Sequence, residues 1–356
     1  MRAPLRVAIV APLVAPLGDA HPYGNQHFSR DLAQGLSMRG HDVVVYAAAG
    51  SDVPGVVTET VDVPVAARRR FVLLRGNRRG ESDAMRRAFD ALFARLRRES
   101  YDVVSQHAFD REAIDGCEDL PALHTLHLPP MRDDVVAIVR NCDGVLASVS
   151  NHCARSWSDV LDREVLALPN GVPDFGPPVD CTTEDIALIA GRISREKGIA
   201  TAIVAARAAG LMPIVAGEIY DHDYFERDVE PLLTDGPLVS PMPRAALGRV
   251  MARAAVALMP IEWDEPFGLV AAEAQLAGCP VVGYRRGALP EVVREGIGGF
   301  LVDPGDEDAL VAAIADVHAL DRRAIRDQAL RRFSMAACIG RYEAALHEVA
   351  QSRVTS

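Results

Sequence analysis

Short apolar runs and amphipathic segments alternate along most of the chain. Arg6 to Val10 is a strand-length apolar run, Gln26 to Met38 carries a helical period, and Val43 to Ala47 is again strand-like. Gly40 closes the helix between them. Strand, helix and strand in close succession predict a βαβ unit and therefore a parallel sheet. The rhythm continues through Val103-Val104, Ala122 to Leu126, Val145 to Val149 and Val165 to Leu168. A second series contains strands at Ile186 to Ala190, Pro213 to Ala216 and Val256 to Met259, with helices over Ile199 to Ala209 and Ala245 to Ala254. Val281-Val282 and Phe300-Leu301 read as its last strands.

Between the two series lies PNGVPDFGPPVD, residues 169–180, whose density of Pro, Gly and Asp marks a linker. The pattern predicts an α/β fold of two Rossmann-like doubly wound domains facing each other across a cleft. Residues 1–170 form the first, 171–180 the linker and 181–340 the second. Ligands in such sheets bind beyond the carboxyl ends of the strands, so function is expected in the cleft.

Composition narrows the class. A length of 356 residues suits two domains, and 49% hydrophobic with 24% charged residues is the balance of a compact globular protein. A formal charge of −11 argues against general nucleic-acid binding, which needs surplus Lys and Arg. The N-terminal apolar run is too brief for a signal peptide or a membrane span. The six cysteines, Cys117, Cys142, Cys153, Cys181, Cys279 and Cys338, form neither a CxxC pair nor a metal-like spacing with histidine, as expected of reduced, cytoplasmic thiols. One segment runs against the acidic background: Arg68 to Glu99 holds eleven arginines and four carboxylates, with an apolar stripe from Met85 to Leu96. Its plain reading is a packed helix with a solvated face. The sharper one is an acceptor-side or anionic-membrane contact over Arg68 to Arg98.

Two stretches carry candidate chemistry. Gly191-Arg192-Ile193-Ser194-Arg195-Glu196-Lys197-Gly198 follows a strand and precedes a helix, where Arg192 and Lys197 could neutralise a diphosphate. It has neither Walker A nor GxGxxG spacing, which disfavours P-loop and ordinary dinucleotide binding. Further on, EPFGLVAAEAQLAGCPVV opens a helix near Leu269 after a Pro266–Gly268 turn, and free amides at that helix start suit a phosphate. Glu265 and Glu273 flank it. Carboxylates beside a phosphate need another partner, and a sugar diol is a natural one; the alternative is that each complements the helix dipole. Asp221-His222-Asp223 lies in a Tyr-rich segment that reads as a surface loop, so no divalent metal is predicted.

With the GRxxxxKG loop, EPFGLVAAE, AGCPVV and the Gly287–Val293 turn, the chain resembles the retaining glycosyltransferases of the GT-B fold, family 4. The likeness extends over nearly the whole length: Phe333-Ser334 and Tyr342 are similar to that family's closing helices, which implies that residues of about 340–356 pack back on the first domain. The resemblance implies that Arg192 and Lys197 grip the donor diphosphate, that Glu273 holds the ribose and that Glu265 meets the transferred sugar. Phosphate contacts would come from the Leu269 and Val270 amides, beside Phe267 and Gly268. It places Gly24 and Asn25 in a loop near the donor, with Asn25 where a second glycine is common. His127 matches a histidine beside the donor sugar, with His124 and His107 as competitors.

The implied activity is transfer of a hexose from a nucleoside diphosphate sugar, UDP-linked by family frequency and GDP-linked as the alternative, to a small hydroxylated acceptor. The implied mechanism is retaining, metal-independent and free of any cofactor. A sugar-nucleotide 2-epimerase and a non-catalytic sugar-nucleotide-binding protein are the rival readings.

Overall fold

Every strand register is parallel, as buried apolar runs joined by helices require. The protein is described by a computed structural model covering residues 3–18, 24–63, 79–174, 176, 183–233 and 241–352. It divides into two compact units, Met1–Pro169 with Cys338–Ser356, and Asn170–Ala337.

Unit 1 contains β1 (Arg6–Val10), β2 (Asp42–Ala48), β3 (Val57–Val61), β4 (Val103–Gln106), β5 (Ala122–Leu126), β6 (Val145–Ser148) and β7 (Leu166–Ala167), in the order β3-β2-β1-β4-β5-β6-β7. Strand order reverses between β1 and β4, so the crevice beyond their carboxyl ends is where this topology places ligands. His107 follows β4 directly and His127 follows β5 directly. β3 is the strand that the apolar pattern does not reveal. It lies at the sheet edge, with Val57 60% exposed and Glu59 in mid-strand, and edge strands tolerate such polarity.

The helix Arg79–Leu96 buries Met85, Ala88, Phe89, Leu92, Phe93 and Leu96 against β1, β2 and β4 residues. The apolar stripe of the basic segment is thus core, while its loop at 68–78 falls outside the described residues. The helix Gly24–Met38 begins two residues earlier than its periodicity predicts, placing Gly24 and Asn25 in its first turn and not in a loop. Two hydrogen bonds fix that turn: Ser29 Oγ donates to the Asn25 carbonyl at 2.8 Å, and Gln26 Nε2 donates to the Ala15 carbonyl at 2.6 Å.

Unit 2 contains β8 (Glu184–Ala190), β9 (Met212–Ala216), β10 (Ala254–Met259), β11 (Val281–Tyr284) and β12 (Gly299–Val302), in the order β12-β11-β10-β8-β9. Its reversal falls between β8 and β10. The Gly191–Gly198 loop leaves β8 and the segment containing Glu265 leaves β10, so the two stretches singled out from sequence flank one switch point. The Asp221–Asp223 stretch is not an open loop: Asp221 Oδ1 accepts from the Tyr224 amide and caps a helical turn, and Tyr224 is buried, its hydroxyl accepting from the Ala200 amide at 2.9 Å. Among the described residues no helix is long and apolar enough to cross a membrane.

Candidate functional site

Two backbone approaches bring the unit 2 segments together. Gly198 has φ +64°, a left-handed conformation, and a Cβ there would lie 2.0 Å from the Pro260 carbonyl oxygen. Only glycine combines that dihedral with that approach. Gly287, at φ +58°, is equally constrained, because a Cβ would meet the Glu265 backbone nitrogen at 2.3 Å. The Glu262 amide donates to the Glu196 carbonyl at 2.9 Å, tying the loop after β8 to the segment after β10.

The result is a compact polar triad. Lys197 Nζ lies 2.6 Å from Glu265 Oε2, and Trp263 Nε1 donates to the same oxygen at 2.7 Å. Lys197 also sits over the Trp263 ring, 5.4 Å from its centroid. The Lys197 and Glu265 side chains are 16% and 13% exposed, so water screens the pair weakly while a ligand could still reach it. Both recorded bonds fall on Oε2, and among the described residues none is recorded for Oε1.

Arg192 stacks on Tyr220, 4.7 Å from the ring centroid, and its Nη2 lies 3.5 Å from Glu196 Oε1. Ser194 Oγ donates to that carboxylate oxygen at 2.6 Å. The helix Leu269–Leu276 starts from Gly268 at φ +91°, and its first recorded backbone bond runs from the Ala272 amide to the Gly268 carbonyl at 3.2 Å. The Leu269 and Val270 amides precede that bond. A Cβ on Gly268 would lie 3.8 Å from Glu265 Cγ, so the helix start and the triad are neighbours.

Phe267 gives its side chain to the core. Its ring is 3% exposed and packs edge-on against Phe333 at 5.7 Å, which leaves only its backbone for a ligand. Glu273 is 6% exposed and accepts from Arg244 Nε and Nη2, at 3.2 and 3.0 Å. Arg244 and Trp263 are the residues that the sequence did not single out. Trp263 stands two positions before Glu265 and was within reach of motif reading; Arg244 lies 29 residues from Glu273 and only the fold pairs them.

In unit 1, His127 Nε2 lies 3.0 Å from His107 Nδ1, while His124 Nδ1 lies 3.3 Å from Gln106 Oε1. The three histidines ranked as competitors are all buried, and burial pushes His124 and His127 down to about 4, with the Arg163 charge adding to the effect at His124. A separate cluster, His41, Glu343 and His347, has metal-like ligands. Its donor chemistry opposes a metal. The Leu5 amide donates to His41 Nδ1 at 3.1 Å, so in the neutral ring Nε2 carries the proton towards Glu343 Oε1 at 3.2 Å, and Arg39 occupies Glu343 Oε2 at 2.6 Å.

Residues 179–332 match the family described as "Glycosyl transferases group 1", and residues 24–174 match "Glycosyltransferase Family 4". The D-inositol 3-phosphate glycosyltransferase of Thermobifida fusca is 31% identical over 204 residues, which is 48% of this chain and 46% of that protein. The protein of the same name from Mycolicibacterium vanbaalenii is 44% identical over 81 residues, 23% of this chain and 18% of its own. The chain therefore matches less than half the length of these relatives. Among solved structures, sucrose-phosphate synthase from Thermosynechococcus elongatus superposes with a TM-score of 0.75 at 19% identity, covering 98% of this chain and 100% of that one. Anabaena HepE, solved in complex with UDP and glucose, superposes with a TM-score of 0.72 at 15% identity, covering 96% and 99%.

The two Rossmann-like units are those of the GT-B fold. The chain belongs to the family-4 glycosyltransferases, glycosyl transferases group 1.

Proposed function

We propose that this protein transfers a hexose from a nucleoside diphosphate sugar to a hydroxyl of a small acceptor, with retention at the anomeric carbon. The observation that carries the reading is the Lys197–Glu265–Trp263 triad beside the helix start at Gly268. It sets a cation, a carboxylate oriented by two donors and a set of helical amides at one switch point. Residues 181–340 act as the nucleotide-sugar domain and residues 1–170 as the acceptor domain, joined by 171–180, with the chain from about 340 to 356 returning to the first.

Sugar transfer separates charge: a diphosphate leaves and the sugar becomes oxocarbenium-like. Fixed donors aimed at the departing diphosphate supply the largest share of such catalysis. Lys197, Arg192 and the amides of Leu269 and Val270 fill that role, with Phe267 and Gly268 shaping the turn by their backbone. Glu273, anchored by Arg244, binds the ribose diol, and Glu265 Oε1 accepts from hydroxyls of the transferred sugar. In the first domain, Gly24, Asn25 and His127 are the substrate-contacting residues of this reading. With the leaving phosphate accepting the acceptor's proton on the same face, no protein nucleophile and no metal is needed. Uridine is the favoured base, supported by the UDP named in the HepE structure, with guanosine as the alternative.

The test is mass spectrometry with UDP-, GDP- and dTDP-sugars without added metal, comparing wild type with Glu273→Ala. Slow consumption of one donor by wild type, spared by the variant, supports the donor site. A donor that binds and is never consumed, whatever acceptor is offered, favours a sugar-nucleotide-binding protein; conversion to an epimer favours an epimerase. Trp263→Phe removes one hydrogen bond to a carboxylate and keeps the aromatic face under Lys197. Such bonds contribute about 1.5–3 kcal/mol, so the variant should lose about tenfold or more in kcat/KM. An unchanged kcat/KM would show that the indole N–H does not orient Glu265.

A further inference from the structure

In unit 1 three polar side chains form a buried line. The Ser105 hydroxyl lies 2.8 Å from His107 Nε2, and His107 Nδ1 lies 3.0 Å from His127 Nε2. Ser105 and His107 are fully buried, and His127 is 8% exposed. Phe28 flanks both imidazoles, with centroids 5.8 Å from His107 and 5.5 Å from His127, and the Tyr342 ring lies 6.1 Å from His107. This aromatic wall keeps water from the line. Burial in it holds both rings neutral at pH 7, with the adjacent His127 adding to the effect at His107.

A neutral imidazole has one donor and one acceptor nitrogen, so the line can run in two directions. In the forward direction Ser105 donates to His107 Nε2, His107 Nδ1–H donates to His127 Nε2, and His127 keeps its proton on Nδ1. In the reverse direction every bond is turned round, and His127 Nδ1 becomes an acceptor.

The two directions differ at Ser105. Reversed, its hydroxyl accepts from His107 and its own proton needs a further acceptor. Among the described residues Ser105 Oγ has no other recorded partner. Its strand is central, with Ser105 opposite Ile9 on one side and Leu123 on the other, so the neighbouring carbonyls already belong to the sheet ladder. A fully buried O–H left unbonded is costly, whereas the forward direction leaves only the Nδ1 proton of His127, the one ring of the line with any exposure, for a ligand or solvent.

We infer that Ser105 and His107 are positioning residues that fix His127 as its Nδ1–H tautomer, so that the carboxyl end of β5 offers an N–H donor and not a base. The group it meets must then be an oxygen lone pair, from a sugar or a phosphate. That assignment of the ligand rests on the proposed function, but the tautomer itself does not. It also gives the acceptor's proton no route to His127, so the proton must leave on another oxygen.

The experiment is a long-range 1H–15N correlation spectrum of the 15N-labelled full chain at pH 7.5, with His107 and His127 assigned by single substitutions. Both rings should be neutral with a protonated Nδ1, in at least about tenfold excess over the other tautomer. His107→Phe should give His127 a substantial Nε2–H population, and Ser105→Ala should raise the Nε2–H share of His107. Turnover should fall in proportion to the competent tautomer that remains. An Nε2-protonated or charged His127 in the wild type overturns the inference, as does a tautomer ratio unmoved in both folded variants. The wild-type spectrum decides even where a variant does not fold. If the tautomers are as stated and no nucleotide sugar perturbs His127 or binds at all, the proposed function fails and the proton line stands.

Discussion

Lys197→Ala is expected to lower nucleotide-sugar turnover by about 10²–10³-fold, the loss that follows removal of one preorganised donor at a developing charge. Lys197 is placed by its neighbours: Gly198 holds the loop against the Pro260 carbonyl, Trp263 lies under the ammonium, and Glu265 meets Nζ at 2.6 Å. Steady-state kinetics will show the loss, and kcat should fall more than KM rises if Lys197 acts on the departing diphosphate. The variant also leaves Glu265 with one recorded partner in place of two, which costs stability. A urea titration separates the effects. If activity falls only in step with the unfolding midpoint, Lys197 is a structural ion-pair partner and the proposed role fails. Lys197→Arg is not a neutral control, because a planar guanidinium cannot occupy the point-charge position over the indole in the same way.

The segments of the candidate site were legible in the sequence because the local chain encodes them. Gly191, Gly198, Gly268 and Gly287 punctuate strand-to-helix turns, and all four adopt positive φ. The alternation of apolar runs predicted the parallel sheets for the same reason, since buried parallel strands are nearly continuous in hydrophobicity. β3 escaped because an edge strand with Thr58, Glu59 and Thr60 buries too little to show a run. The start of the first helix escaped because Gly24 and Asn25 are poor helix formers that the turn recruits as its opening residues.

Partnerships were less legible than positions. Arg244 and Glu273 stand on separate helices, and no local spacing links them. Ser105 and His107 are two apart on and after β4, a spacing that puts two side chains on one face of an extended chain. The sequence contained that relation, but only the sheet order brings β5 alongside and adds His127 to the line. Phe267 shows a different limit: its place in the motif does not tell where its ring goes, whereas its size and apolarity send the ring into the core.

The same buried histidines should make unit 1 the acid-sensitive half of the protein. In the unfolded chain a histidine titrates near 6.5, whereas His124 and His127 titrate at about 4 in the folded state. Between those values the unfolded state binds more protons, so stability is present above about pH 6.5 and is lost as pH falls towards 4. Over the window from 6.5 to 5, above the range of ordinary carboxylates, each of the two should cost about 2 kcal/mol, and His107, held well below its ordinary value by burial and by His127, adds further loss. A loss of about 4 kcal/mol is a large part of the 5–15 kcal/mol that holds a typical domain. Among the described residues all the buried histidines lie in unit 1. The chain has two tryptophans, Trp157 in unit 1 and Trp263 in unit 2, so fluorescence of the Trp263→Phe and Trp157→Phe variants reports each unit separately. Urea midpoints followed by Trp157 should fall steeply from pH 6.5 to 5, while those followed by Trp263 should change little. His124→Gln should flatten the unit 1 slope at some cost in stability at neutral pH. Equal slopes in the two units would mean that the buried imidazoles do not control acid unfolding.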